Sequence, residues 1–374
     1  MGPDLAAGRG LMYRRSEREA MRTIGWDHDA DCIEMVDQTL LPAEYTTYHA
    51  ETVDDLVDSI RILRVRGAPA LGAAGAYGVA LSAYRADGAD PETLLDTVEE
   101  DANRIATARP TAINLSKGVD EALDAAKDGT TVAAIRENAL DTAEALADRD
   151  VERNRQLGEH GAALLPTGAT VMTHCNAGAL ATVDWGTALG VVYSAHEAGN
   201  PVEVIANETR PLNQGSRITT TELLQHDVRT TLIPDNASGL AMQQGRVDAV
   251  VVGADRIVLD GGETFGDQGV VYNKIGTYKH AVLADRHAVP FIVAAPISTI
   301  DFEASADDVE IEERDPVELR KIYGTQNAPR DVDVYNPAFD ATPMELVDYV
   351  VTEAGAFEPP LDESVIDERT KRLA

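Results

Sequence analysis

Along most of the first 165 residues, apolar positions recur every three to four residues, the period of a helix with one buried face. Thr52 to Leu63, TVDDLVDSIRIL, places Leu56, Ile60 and Leu63 on one side, with Thr52 as a candidate N-cap. Pro91 to Ala108 and Thr131 to about Leu164 share that period and are built from good helix formers. Between the first two lies RVRGAPALGAAGAYGVAL, so rich in Ala and Gly that it can pack close to a neighbouring helix or to a ligand. Only MRTIGWDHDADCIEMVDQ, from Met21, alternates like a strand. Residues 1–20 carry no such pattern and read as a disordered tail, so residues 21–165 are expected to form a mostly helical N-terminal domain.

After residue 165 the pattern changes. ATVMTHC, PVEVIA, VRTTLI, VDAVVVGAD and PFIVAA are short runs rich in β-branched residues. Helical stretches separate them: LATVDWGTALGVVYSAHEA, RITTTELLQHD, NASGLAMQQG and KIGTYKHAVLADRHA. Strands that are apolar throughout and alternate with helices predict a parallel sheet covered on both faces. The fold class is therefore α/β: a helical N-terminal domain followed by a Rossmann-like domain, residues 166–374, with a mostly parallel sheet.

Charge narrows the function. The chain has 64 acidic and 32 basic residues, a formal net charge of −32, and only six lysines. Acids spread along the whole length suit a surface kept hydrated in a salty cytosol, in preference to one docking site for a basic partner. A nucleic-acid footprint needs a basic patch, and none is present. No apolar run approaches the roughly 20 residues of a membrane span, and the N-terminal stretch lacks the apolar centre of a signal peptide. Two cysteines, Cys32 and Cys175, make no disulfide framework and are expected as free thiols in a reducing cytoplasm.

In open parallel sheets, ligands bind beyond the carboxyl ends of the strands. Cys175 ends the first strand, Asn207-Glu208 the second, Asp235-Asn236 the third and Asp255 the fourth. A thiol and a carboxylate on one rim can do acid–base work. Equally, an aspartate at a strand end can cap a turn, and a lone cysteine can be core filler. Arg66-Gly67-Ala68 and Arg109-Pro110-Thr111 each precede a helix, where an arginine and free N–H groups suit an anion. Asn273-Lys274 opens another helical stretch near the rim. Taken singly, the ordinary reading of each arginine is a surface or domain-bridging ion pair. His174 precedes Cys175, and adjacent strand residues face opposite ways, so His174 reads as a core histidine and not as the base for Cys175. Neither GxGxxG nor GxxxxGK[ST] occurs, and no HExxH or CxxC spacing marks a metal.

These residues sit in long motifs. RVRGAPALGAAGAYGVAL, ARPTAINL, THCNAGALATVDWGTALGVV, NETRPLNQGSRITTTELL, DAVVVGADRI, NKIGTYKHAVLA, AAPISTID, IEERDP and NPAFDATPMEL run in order from Met21 to about Gly355. Together they resemble the methylthioribose-1-phosphate isomerase family, whose wider group includes ribose-1,5-bisphosphate isomerase and regulatory subunits of the initiation-factor guanine-exchange complex. The resemblance implies an aldose–ketose isomerase of methionine salvage, a homodimer, working on a sugar phosphate without metal or cofactor. It implies catalytic roles for Cys175 and Asp255 and substrate contacts at Arg66, Gly67, Ala68, Arg109, Gln214, Asn273 and Lys274. Gln214 rests on the resemblance alone.

Two stretches depart from the family pattern. VLDGGETFGDQGVVY lengthens the link between GADRI and NKIGTY, and SKGVD follows RPTAINL where bulkier apolar residues are usual. Either could reshape the pocket for the methylthio end. A second phosphate there, with Lys117 as its contact, would favour ribose 1,5-bisphosphate, although Lys117 also reads as an exposed helix residue. A non-catalytic regulatory subunit is the third reading, and it has no need of an acid–base pair.

Overall fold

The computed structural model describes residues 22–88, 90–109, 112–266 and 269–361. The expected tail, residues 1–20, lies outside the described residues. The alternation after Met21 becomes an antiparallel sheet of β1 (Ile24–Asp27), β2 (Cys32–Val36) and β3 (Thr47–Ala50). Ile24, Ile33, Met35 and Ala50 point inward and are fully buried. Five helices complete this part: α1 (Val53–Arg61), α2 (Ala68–Arg85), α3 (Pro91–Ala106), α4 (Ile113–Lys127) and α5 (Val132–Ala162).

Thr52 caps α1 in a reciprocal box with Asp55, and Leu56 and Ile60 are fully buried as their spacing predicts. Leu63 departs from that face, because the helix ends at Arg61 and Leu63 turns at φ 63°. The Ala/Gly-rich stretch is α2, buried continuously from Ala70 to Ala83, as expected of a helix that is apolar all round. Its small residues serve helix packing against α4. A β-carbon on Gly118 of α4 would lie 1.9 Å from the Gly72 carbonyl oxygen, so the two backbones touch. The long α5 is shared: Ile135, Ala139, Ala143 and Ala147 join the helical core, while Leu157 packs into the core beside the large sheet.

The remaining chain runs β4 (Thr170–Thr173), α6 (Ala188–Glu197), β5 (Glu203–Asn207), α7 (Thr220–Gln225), β6 (Thr230–Ile233), α8 (Ser238–Gln243), β7 (Ala249–Val252), β8 (Arg256–Asp260), α9 (Gly262–Phe265), β9 (Val270–Lys274), α10 (Thr277–His287), β10 (Phe291–Ala294), β11 (Ile300–Ser305), α11 (Val317–Arg320), β12 (Lys321–Ile322), β13 (Thr325–Gln326), β14 (Phe339–Pro343), β15 (Tyr349–Thr352) and β16 (Gly355–Phe357). The large sheet has the order β16-β15-β10-β7-β4-β5-β6. All its neighbours pair in parallel except β16. Val171, Val204 and Val251 bury on one face with α6, and Met172, Ile205 and Val250 on the other with α10. The α/β class and the mostly parallel, Rossmann-like sheet are thus present.

Three local expectations change. Helix α6 begins only at Ala188, because residues 180–187 form a turn and loop closed by a bridge between Gly178 and Gly186. Asn273 and Lys274 end β9 and do not open a helix, which starts at Thr277. The described residues at the two ends of the lengthened link VLDGGETFGDQGVVY belong to an antiparallel pair, β8 and β9, inside a second sheet of order β11-β8-β9-β14. The strands of that sheet have too mixed a pattern of buried and exposed positions to stand out by period.

The topology decides where a crevice opens. From β4 the chain steps outward to β5 and β6, then returns past β4 to β7, β10 and β15 on the other side. The reversal between β4 and β7 is a topological switch point, where an open parallel sheet leaves a gap beyond its carboxyl ends. Because the α2–α4 contact is backbone on backbone, Gly118→Val should destabilise the protein by about 2–3 kcal/mol, as overpacking does. Equilibrium denaturant unfolding in high salt would read this as a lowered midpoint with an unchanged slope.

Candidate active site

A cavity of about 630 Å³ lies over this switch point. Arg66, Gly67, Ala68 and Arg109 reach it from the helical side, and Cys175, Gln214, Asp255, Asn273 and Lys274 from the sheet side. All nine residues expected at the site therefore line one wall or another. The other two rim positions do not. Asn207 donates to the Thr173 carbonyl (2.9 Å) and accepts from the Ser238 hydroxyl (2.7 Å). Asp235 accepts from the N–H groups of Thr209 (2.7 Å) and Arg210 (2.6 Å). Both pin loops, which is the structural alternative for polar residues at strand ends.

Cys175 follows β4 at φ 68°, a left-handed conformation that few residues other than glycine adopt. Its backbone is held from both sides. The N–H donates to Thr209 Oγ1 (2.8 Å), and the carbonyl accepts from the Thr219 hydroxyl (2.7 Å). Strain over-determined in this way is typical of functional positions. His174 is buried, with Nε2 at 2.9 Å from the Ile275 carbonyl oxygen, so that nitrogen carries the proton. Burial holds its pKa down to about 4, and the ring is neutral. It supports the end of the strand that carries Lys274 and is not paired with Cys175.

The thiol and the carboxylate share one electrostatic field. Burial among protein atoms raises the Cys175 pKa, Lys274 and Arg66 oppose that rise, and Asp255 adds to it. The Asp255 side chain is open to water in the cavity, yet crowded by the walls. That desolvation raises its pKa against the pull of Lys274, Arg66 and Arg109. Both groups are therefore biased toward their protonated forms.

The cations are unusual in their partners. Arg66 donates from Nε to Gln38 Oε1 (3.2 Å) and from Nη2 to Asn176 Oδ1, both neutral acceptors. Lys274 donates to the Ala338 carbonyl (2.8 Å) and sits 4.6 Å from the centre of the Phe339 ring. Among the described residues, Arg66, Arg109 and Lys274 form no ion pair, whereas Arg64, Arg104, Arg149, Arg229, Arg256 and Arg314 each do. Gly67 starts α2 at φ 94°, and a β-carbon there would lie 2.1 Å from the Ala181 carbonyl oxygen. Only glycine brings Arg66 and the first turn of α2 this close to the loop after β4. Gln214 is 5% exposed and its Oε1 has no partner within the protein, so a ligand hydroxyl could satisfy it.

Reading the sequence missed Gln38 and Asn176, which hold Arg66. Asn176 could have been suspected from its place beside Cys175, but Gln38 carries no sequence signal. Lys117 is exposed and also borders the cavity. Among the described residues, Asp27, Cys32 and His49 form one group with metal-ligand chemistry. Strand register assembles it across β1–β3, and none of the three lines the cavity.

Residues 64–359 match the initiation factor 2 subunit family, and the chain belongs to that family. Within it, the chain is 46% identical over 346 residues to the methylthioribose-1-phosphate isomerase of Desulfitobacterium hafniense, covering 91% of this chain and 96% of that protein. The crystal structure of 5-methylthioribose 1-phosphate isomerase from Pyrococcus horikoshii OT3 is similar at a TM-score of 0.85 and 38% identity, over 94% of this chain and 95% of that one. A crystal structure from A. fulgidus, described as subunit delta of translation initiation factor eIF-2B, is similar at a TM-score of 0.84 and 50% identity, over 95% and 99%.

The two thiols should differ in solution. Cys32 is fully buried and Cys175 faces the cavity, so an alkylating reagent should modify Cys175 first. Its raised pKa means little thiolate at pH 7, so labelling should still accelerate above pH 8.5. Inorganic phosphate should slow it, and mass spectrometry of the labelled peptides would follow both effects.

Proposed function

We propose that this chain converts 5-methylthioribose 1-phosphate to 5-methylthioribulose 1-phosphate, an aldose–ketose isomerisation in methionine salvage. One observation carries the reading. Three cations without ion-pair partners among the described residues converge on a cavity that also holds a carboxyl and a thiol, in a chain with twice as many acids as bases. Such cations suit a phosphate dianion, which would supply the charge they lack. Leu63, Ile113, Leu212 and Ile311 also line the cavity and suit a thioether end.

The chemistry needs an acid and a base. The anomeric oxygen carries phosphate, so the ring does not open as a free sugar's does. Asp255, biased toward its neutral form, donates a proton to the ring oxygen as the C1–O bond breaks. A proton then leaves C2 and one arrives at C1, while the 2-hydroxyl gives up its proton and so reprotonates Asp255, which leaves the carbonyl at C2. We assign removal of the C2 proton to Cys175, whose pKa burial raises while Lys274 and Arg66 work against that rise. Arg66, Arg109 and Lys274 hold the phosphate and so fix C1 and C2 against the pair. A direct hydride shift from C2 to C1 is the rival route. The acidic composition supports work in a salt-rich cytosol, and the family resemblance supports a homodimer.

Lys117 at the cavity edge favours a second reading, ribose 1,5-bisphosphate as substrate, with the lysine on the second phosphate. Turnover of both sugar phosphates in high salt separates the two. Conversion of the methylthio compound is expected, and conversion of the bisphosphate alone would replace it. Cys175→Ser and Asp255→Asn should each lower turnover at least about a hundredfold, the scale of general acid–base groups. In D2O, solvent deuterium at C1 of the product is expected. Its absence would indicate the hydride route.

A further inference from the structure

Glu222, in α7, is a carboxylate that the chemistry above does not use. It is 3% exposed and does not line the cavity. Oε1 accepts from Asn176 Nδ2 (2.8 Å) and from the Leu180 N–H (3.2 Å), and Oε2 accepts from the Tyr193 hydroxyl (3.4 Å). Asn176 turns its other amide atom, Oδ1, to Arg66. The direction of this relay has one solution. A carboxylate only accepts and a guanidinium only donates, so the amide must present its NH2 to Glu222 and its oxygen to Arg66.

The second anchor of Arg66 leads to the same place. Gln38, which accepts from Arg66 Nε, donates from Nε2 to the Leu180 carbonyl (2.8 Å), and the Leu180 N–H is held by Glu222. Thr219 lies three residues before Glu222 and holds the Cys175 carbonyl, so this face of the helix grips the loop 175–180 at both ends. The loop lies against the carboxylate itself, since a β-carbon on Gly178 would be 2.2 Å from Glu222 Oε2.

We propose that Glu222 is the positioning residue for Arg66, orienting its guanidinium toward the substrate phosphate through Asn176. The intervening amide explains why Arg66 is free to bind an anion. A carboxylate paired directly with Arg66 would compete with phosphate. One amide away, it orients the guanidinium without neutralising it. Desolvation raises the pKa of Glu222 to about 6, against the hydrogen bonds from Asn176 and Leu180 and the charge of Arg66. A carboxyl raised in the folded state contributes least to stability above that pH. Its burial as a charge is thus better explained by the relay than by folding.

This role rests on the phosphate site of the proposed isomerase, but its test does not need turnover. Calorimetry with inorganic phosphate would be run on wild type, Glu222→Ala, Arg66→Ala and the double variant. If Glu222 acts through Arg66, Glu222→Ala should weaken binding about tenfold in the wild-type background and less than about twofold beside Arg66→Ala. Equal losses in both backgrounds, or none in either, would overturn the role. Should Glu222→Ala fail to fold, Asn176→Ala breaks the relay in the middle and should show the same dependence on Arg66. A wild type that binds phosphate but turns over no sugar phosphate would sink the isomerase reading and leave the relay standing. A wild type that does not bind phosphate would overturn both.

Discussion

Holding positive charge in a cavity with no carboxylate paired directly to it, among the described residues, is the constraint on which this site depends. In a chain with 64 acidic residues, a ready outcome for any arginine is an ion pair, and half of those described have one. Arg66 is instead anchored by two amides, Gln38 and Asn176, and Lys274 by a carbonyl and an aromatic face. Neutral acceptors engage their N–H groups and leave the charges without an ion-pair partner among the described residues. A partly desolvated cation kept in this way is costly until an anion arrives, so stability is given up locally for binding.

The same constraint explains the backbone around the thiol. Arg66 can meet Asn176 only if α2 starts against the loop after β4, and Gly67 allows that approach. The loop must leave the strand abruptly, and Cys175 takes up the turn at a positive φ secured by Thr209 and Thr219. The helical part and the sheet are therefore joined at the site by close backbone contact as well as by the shared helix α5.

Much of this was legible in the chain. Helix α2 shows as an unbroken apolar run, α1 as a capped amphipathic stretch, and the strands of the large sheet as β-branched runs. The strand-end rule selected Cys175 and Asp255 and, with equal force, Asn207 and Asp235. Local pattern could not separate the pairs, since each is a polar residue after a buried strand. Nor could it place Asn273 and Lys274 correctly. They end a strand because β9 finds β8 and β14 as partners, a pairing that depends on residues far away in sequence.

By itself the sequence determined the class of fold, the buried faces and the inventory of reactive groups, because periodicity and residue chemistry are local properties. Tertiary structure decided which groups meet. Strand order put the switch point between β4 and β7, so Cys175 and Asp255 face one cavity while Asn207 and Asp235 pin loops. It also brought Gln38, Asn176 and Glu222 to bear on Arg66 across separations of 28 to 110 residues along individual hydrogen bonds. Those contacts are products of chain reversal and packing, and no short window of sequence contains them.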